Sequence, residues 1–171
     1  MTARTKARKR ALDILFECDA RDLMPEELLG ERIAMSDPPV NEYTAFLVRG
    51  VSDNIIGIDD MLSNYSEGWS LERMPAVDRN MLRIGVFEIL YVDALPDAVA
   101  VSEAVNMVRD LSTDESPAFV NGILGNVVRH KSPPLDSDPV DSDPVDSDSV
   151  DSSGAAPGGA QPRSQAIARP H

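Results

Sequence analysis

Cysteine is nearly missing from this 171-residue chain. Its single instance, Cys18, excludes a disulfide within the chain and a thiolate zinc cluster, and fits a reducing compartment. Histidine is almost as scarce. His130, in a basic run at a helix end, and His171, at the C-terminus, give little on which to build a Ser-His-Asp nucleophile. No stretch of eighteen apolar residues occurs, so no membrane span is expected. The basic N-terminus runs into a segment that Asp13 and Glu17 interrupt, whereas a secretory signal needs an unbroken apolar region there. The chain is therefore expected to be cytoplasmic. Phosphate-binding loops, dinucleotide-binding glycine turns and the HExxH metalloprotease motif are also absent, so no enzymatic activity and no cofactor are expected. Asp53 and Asp59-Asp60 read as solvated helix acids rather than cation ligands.

Positive charge is in short supply, and where it lies matters more than the total. Sixteen Lys and Arg face 29 Asp and Glu, a formal net charge of −13, which excludes a chain that wraps nucleic acid over its whole surface. Yet residues 1–10 carry five bases (Arg4, Lys6, Arg8, Lys9, Arg10) and no acid. Residues 11–131 hold nine bases and 22 acids, and residues 132–171 hold two and seven. A basic arm is thus joined to an acidic body and an acidic tail. The body repels phosphates away from the arm and attracts basic proteins, ribosomal proteins among them. Residues 136–151 repeat as DSDPV, DSDPV, DSDSV before Gly, Ala and Pro take over. Such a segment has no apolar face to bury, and 132–171 reads as a disordered tail beside a 1–131 domain.

That domain shows helical periodicity nearly throughout, and the expected class is all-α. Ala7, Ala11 and Leu15 form one row, with Leu12 and Phe16 beside it. Pro25 opens a second helix whose buried face would hold Leu28, Leu29 and Ile33. Asp37-Pro38-Pro39 breaks the chain, and Asn41 is placed to cap one long helix over 41–65. Ser70 would cap a short helix, and Pro75 would start the next, to about Val92, with Val77, Met81, Ile84 and Glu88 on one stripe. A helix after Pro96 carries Val101, Ala104, Val105, Val108 and Leu111. Ser116-Pro117 then supplies an N-cap and first-turn proline for a last one.

Glu88 and Glu103 sit among apolar neighbours, where an uncompensated carboxylate costs several kcal/mol, roughly. At least one is expected to pair with an arginine of the 75–92 helix, Arg79 or Arg83. Phe119 falls off the Val120/Ile123/Val127 stripe, either exposed for base stacking or packed on a neighbouring helix. Phe16 faces the same choice and is assigned to the core.

Five segments, KARKRALDILFE (6–17), YTAFLVRGV (43–51), VDRNMLRIGVFEIL (77–90), PDAVAVSEAVNMVRDL (96–111) and SPAFVNGILGNVVR (116–129), stand in a recognisable order and spacing. Through them the chain resembles the NusB family of bacterial transcription antitermination and termination factors. The resemblance implies a helical bundle of two packed three-helix subdomains. It also implies binding of boxA-type single-stranded RNA from ribosomal RNA leaders, together with a small-subunit ribosomal protein called NusE in this role. RNA polymerase and other Nus factors would be engaged indirectly. Carried over residue by residue, the resemblance assigns Arg4, Lys6, Arg8, Lys9 and Arg10 to phosphate contact, and adds Glu115, Ser116 and Phe119 to the RNA surface. Asp78 and Arg79 fall on the partner-protein surface. Phe16 stands where many relatives have Tyr, and Pro117-Ala118 replaces more polar residues. Two alternatives accompany this reading. One is a homodimer that masks its RNA surface. The other is the helical domain fused to some ribosomal RNA methyltransferases, disfavoured because no α/β cofactor-binding domain follows residue 131.

Overall fold

The computed structural model describes residues 1–35 and 39–131. The expected tail and the Asp37-Pro38 part of the breaker lie outside the described residues. Seven α-helices and no strand are found among those described. They are α1 (Ala3–Arg21), α2 (Pro25–Met35), α3 (Glu42–Asp53), α4 (Ile55–Tyr65), α5 (Ala76–Tyr91), α6 (Asp97–Leu111) and α7 (Ser116–Lys131). A single 3-10 turn, Leu71–Arg73, precedes α5.

Local chemistry accounts for most of the boundaries. Thr2 caps α1, its hydroxyl oxygen accepting from the Thr5 N–H at 3.0 Å, and Asp22 ends it in the left-handed conformation. Pro25 opens α2 as expected, and Asn41 caps α3 by accepting from the Tyr43 N–H at 2.8 Å. The single helix expected over 41–65 is in fact two. Asn54 breaks it: its side-chain amide donates to the Gly50 carbonyl at 2.8 Å, taking the acceptor that its own backbone N–H would use in an unbroken helix. That N–H turns to Val51 at 3.3 Å, and Asn54 leaves helical geometry before α4 begins.

Helices α1, α2 and α3 pack on one another, and α5, α6 and α7 form a second group that α4 joins through α5 and α7. Helix α5 lies between the groups, touching α1 and α3 on one side and α4, α6 and α7 on the others. Its burial therefore runs around the helix rather than along one stripe: Met81, Leu82, Ile84, Val86, Phe87 and Ile89 are all buried. Leu28 and Leu29 are buried as expected, whereas Ile33, on the far turn of α2, is 47% exposed.

Gly50 is where α3 meets α5. A Cβ there would fall inside the Phe87 ring, so the close approach requires glycine. Gly57 on α4 has open space around the same position. Gly50→Ala should lower stability by about 1–3 kcal/mol through overpacking, while Gly57→Ala should leave it unchanged or raise it by up to about 1 kcal/mol. Urea denaturation of both variants checks the contrast.

A charged staple ties α5 to α1 and α4. Asp19 of α1 accepts from Arg79 at 2.9 Å and Asn80 at 2.8 Å, and Arg83 reaches both Asp19 at 3.3 Å and Asp59 of α4 at 2.8 Å. Burial pushes the Asp19 carboxyl up, but the bonds from Asn80 and Arg79 and the charges of Arg83 and Arg79 outweigh it and hold it below its ordinary range. Its contribution is present above the unfolded aspartate value of about 3.9 and is lost as pH falls through the lower folded value. Asp19→Asn should therefore flatten the fall of stability below about pH 4, which denaturation midpoints across that range would register.

Candidate nucleic-acid interface

Helical geometry sorts the five bases of α1. A period of 3.6 residues puts Arg8 in line with Leu12 and Leu15, on the buried face, and turns Lys6 and Arg10 to the opposite side. Arg4, Lys6 and Arg10 are exposed, and Lys9 is half-exposed beside Asp13 at 2.7 Å. Arg4 lies with its guanidinium 5.1 Å from the Tyr43 ring centre, a cation–π contact that steadies the helix start against α3.

Arg8 is the exception to its expected role as a phosphate contact. Only 1% of it is exposed. Its Nε donates to both Glu88 oxygens at 2.9 Å, and Nη1 lies 3.3 Å from Glu103. The Tyr43 hydroxyl also donates to Glu88, and the Thr5 hydroxyl donates to Glu103 at 2.9 Å. Burial opposes the Arg8 charge, but the hydrogen bond and charge of Glu88 prevail and hold the guanidinium more firmly protonated. The two apolar-flanked carboxylates are thus paired, but with α1 rather than with Arg79 or Arg83 of α5. Those two arginines face Asp19 and Asp59 instead.

Phe16, expected in the core, is 42% exposed. It lies seven residues after Lys9, about two helical turns along the same flank of α1.

The residues expected around α7 divide in the same way. Ser116 and Asp78 are both buried, and the Ser116 hydroxyl donates to Asp78 Oδ2 at 2.7 Å. Neither presents a side chain to a partner; together they pin the start of α7 to the start of α5. Arg79 is largely covered, bonded to Asp19 and, through Nη1, to the Leu71 carbonyl at 2.9 Å. Glu115 is exposed and Phe119 half-buried. Trp69 was not singled out from the sequence. It is 56% exposed, with its ring centre 6.1 Å from that of Phe119.

The basic arm and the Glu115/Phe119 region are anchored at different levels of α5. Arg8 meets α5 at Glu88 and Ser116 meets it at Asp78. Ten residues of helix place the basic arm and the Glu115/Phe119 region about 15 Å apart along α5.

The NusB family model matches residues 5–129, from the first turn of α1 to near the end of α7. The chain belongs to the NusB family. The transcription antitermination protein NusB of Nocardioides sp. is 62% identical over 131 residues, covering 77% of this chain and 97% of that protein. Its counterpart in Kineococcus radiotolerans is 55% identical, covering 77% and 96%. Among solved structures, NusB of T. maritima superposes with a TM-score of 0.69 at 32% identity, over 78% of this chain and 95% of that one. The antitermination factors NusB and NusE in complex with double-stranded RNA include a chain of TM-score 0.64 at 27% identity, covering 75% and 98%. Among the described residues no helix is long and apolar enough to cross a membrane, and no group of three His, Cys, Asp or Glu side chains could hold a metal. His130 stacks on Tyr65 at 5.2 Å, while His171 lies outside the described residues.

Proposed function

We propose that this chain is a non-enzymatic RNA-binding factor in the antitermination and termination of ribosomal RNA transcription. It acts in the cytoplasm, on boxA-type single-stranded RNA, together with the ribosomal protein NusE. The observation that carries this reading is the concentration of exposed base at one end of α1 in an otherwise acidic protein. Arg4, Lys6, Lys9 and Arg10 neutralise phosphates, and the buried Arg8 network holds the helix that presents them. Phe16 offers a ring for base stacking two turns further on. Family membership, the naming of the relatives as antitermination proteins and the resemblance to a NusB–NusE–RNA complex support the same reading. Glu115 and Phe119 extend the functional surface at the other end of α5, where Asp78 and Arg79 underpin it.

The test is selectivity. A labelled boxA-like RNA and a scrambled control, each titrated with and without NusE, should separate. The expected result is preference for the boxA-like strand, strengthened by NusE. Equal, feeble binding of both RNAs under every condition would remove the reading.

A further inference from the structure

Helix α6 has a second apolar stripe that the core does not use. Ala100, Ala104, Met107 and Val108 are buried on one side. Val101 and Val105, one turn apart on another side, are only half-buried, and so is Val128 of α7. Together these three valines floor an open groove of about 580 Å³ between α6 and α7. Asn121 edges it on α7. Phe119 stands two residues earlier, about 200° around the helix, so its contact with Trp69 is on the other flank of α7.

Charge marks the two ends of the groove. Arg109, in the last turn of α6, and Arg129, in the last turn of α7, both line it. Lys131 donates to Asp97 at 2.8 Å and so fixes the end of α7 beside the start of α6. The two helices therefore run antiparallel, and the levels of the two arginines are about 15 Å apart along the groove. Of the nine bases in residues 11–131, Arg21, Arg32, Arg49, Arg79, Arg83 and Lys131 are paired with carboxylates. Arg109 and Arg129 are not. Among the described residues they bond to neutral amides on their own helices, Asn106 and Asn126. In a segment with 22 acids, two exposed arginines left without a carboxylate at the ends of one groove favour negative charge from another molecule.

The floor decides what carries that charge. No aromatic ring lines the groove among the described residues, so nucleic-acid bases have nothing to stack on. The arginines repel a basic ribosomal protein. An antiparallel helix pair with an apolar trough instead seats a third helix, read through side chains at i, i+3, i+4 and i+7. A length of about 15 Å matches roughly three helical turns. We infer that the α6/α7 groove is the docking site for an acidic amphipathic helix of a second protein partner, distinct from the basic ribosomal one. Its apolar face rests on Val101, Val105 and Val128, and carboxylates near its two ends meet Arg109 and Arg129.

The probe is a labelled synthetic helix of about three turns, with leucines at i, i+3, i+4 and i+7 and glutamates at both ends. A twin carries lysines in place of the glutamates. By fluorescence anisotropy the full chain should bind the glutamate-ended helix at least about tenfold more tightly than its twin, with the difference shrinking as salt rises. Arg109→Glu/Arg129→Glu, which breaks no ion pair of the fold, should reverse the preference. Val105→Ser should weaken the glutamate-ended helix about three- to tenfold. Binding of boxA-like RNA and of NusE should be unchanged in both variants. Absence of binding, equal binding of the two helices, or an unchanged preference in Arg109→Glu/Arg129→Glu overturns the inference. Loss of RNA affinity in that variant would assign the groove to RNA, and loss of a concentration-dependent rise in sedimentation would assign it to a second copy of this chain. Either result also overturns the inference, and neither bears on the α1 arm.

Discussion

Arg8→Ala should cost this protein about 3–5 kcal/mol of folding free energy, a large share of the roughly 5–15 kcal/mol that a domain of this kind possesses. The reason lies in what remains. Glu88 is fully buried, and the guanidinium that compensates it would be gone, leaving only the Tyr43 hydroxyl as a donor. A buried carboxylate without its cation is among the most expensive defects a core can hold. Arg8→Met/Glu88→Met, which removes both charges and roughly keeps their volume, should recover much of the loss. A double-mutant cycle by urea denaturation measures that coupling. A variant Arg8→Ala as stable as the wild type but unable to bind RNA would instead return Arg8 to the phosphate contacts implied by the resemblance.

The second large effect concerns the arm's outer face. Replacing Arg4, Lys6, Lys9 and Arg10 together by alanine removes the exposed positive charge of the α1 start while leaving the Arg8 network in place. Each phosphate contact on a single strand contributes roughly −0.7 to the slope of log K against log salt, so four contacts give about −2.8. The quadruple variant should keep its stability within about 2 kcal/mol, because the surface contacts it loses, the Lys9–Asp13 ion pair and the Arg4–Tyr43 cation–π contact among them, are each worth little. RNA affinity at low salt should nonetheless fall by orders of magnitude. Stability and binding thus separate along one helix: the face with Arg8 carries the first and the face with Lys6 and Arg10 the second.

That separation marks where the sequence stops being legible. The helices were readable because apolar spacing, Pro25, Asn41 and Ser116-Pro117 all agree with the periodicity around them. The break at Asn54 was not, because it depends on one side-chain amide competing with the backbone for a single carbonyl. Charge was readable as a total for residues 1–10 but not as a surface. Arg8 shares its row with Leu12 and Leu15, a signal that was present but masked by the basic neighbours on either side. Its partners, Glu88 and Glu103, lie 80 and 95 residues away, beyond any local pattern. Glu88 and Glu103 were legible as carboxylates in need of a partner, yet α5 offered two nearer arginines that proved committed to Asp19 and Asp59. Trp69 gave no periodic signal because it stands beside a turn, and the ring it meets, Phe119, lies 50 residues on.

The most direct measurement is the salt dependence of boxA-like RNA binding, wild type against the Arg4/Lys6/Lys9/Arg10 alanine variant, with NusE held constant. A slope between about −2 and −3 in the wild type, lost in the variant without loss of fold or of NusE binding, is the predicted result. An unchanged slope in the variant would mean that RNA is held elsewhere, and would contradict the assignment of the α1 arm as the RNA-binding face.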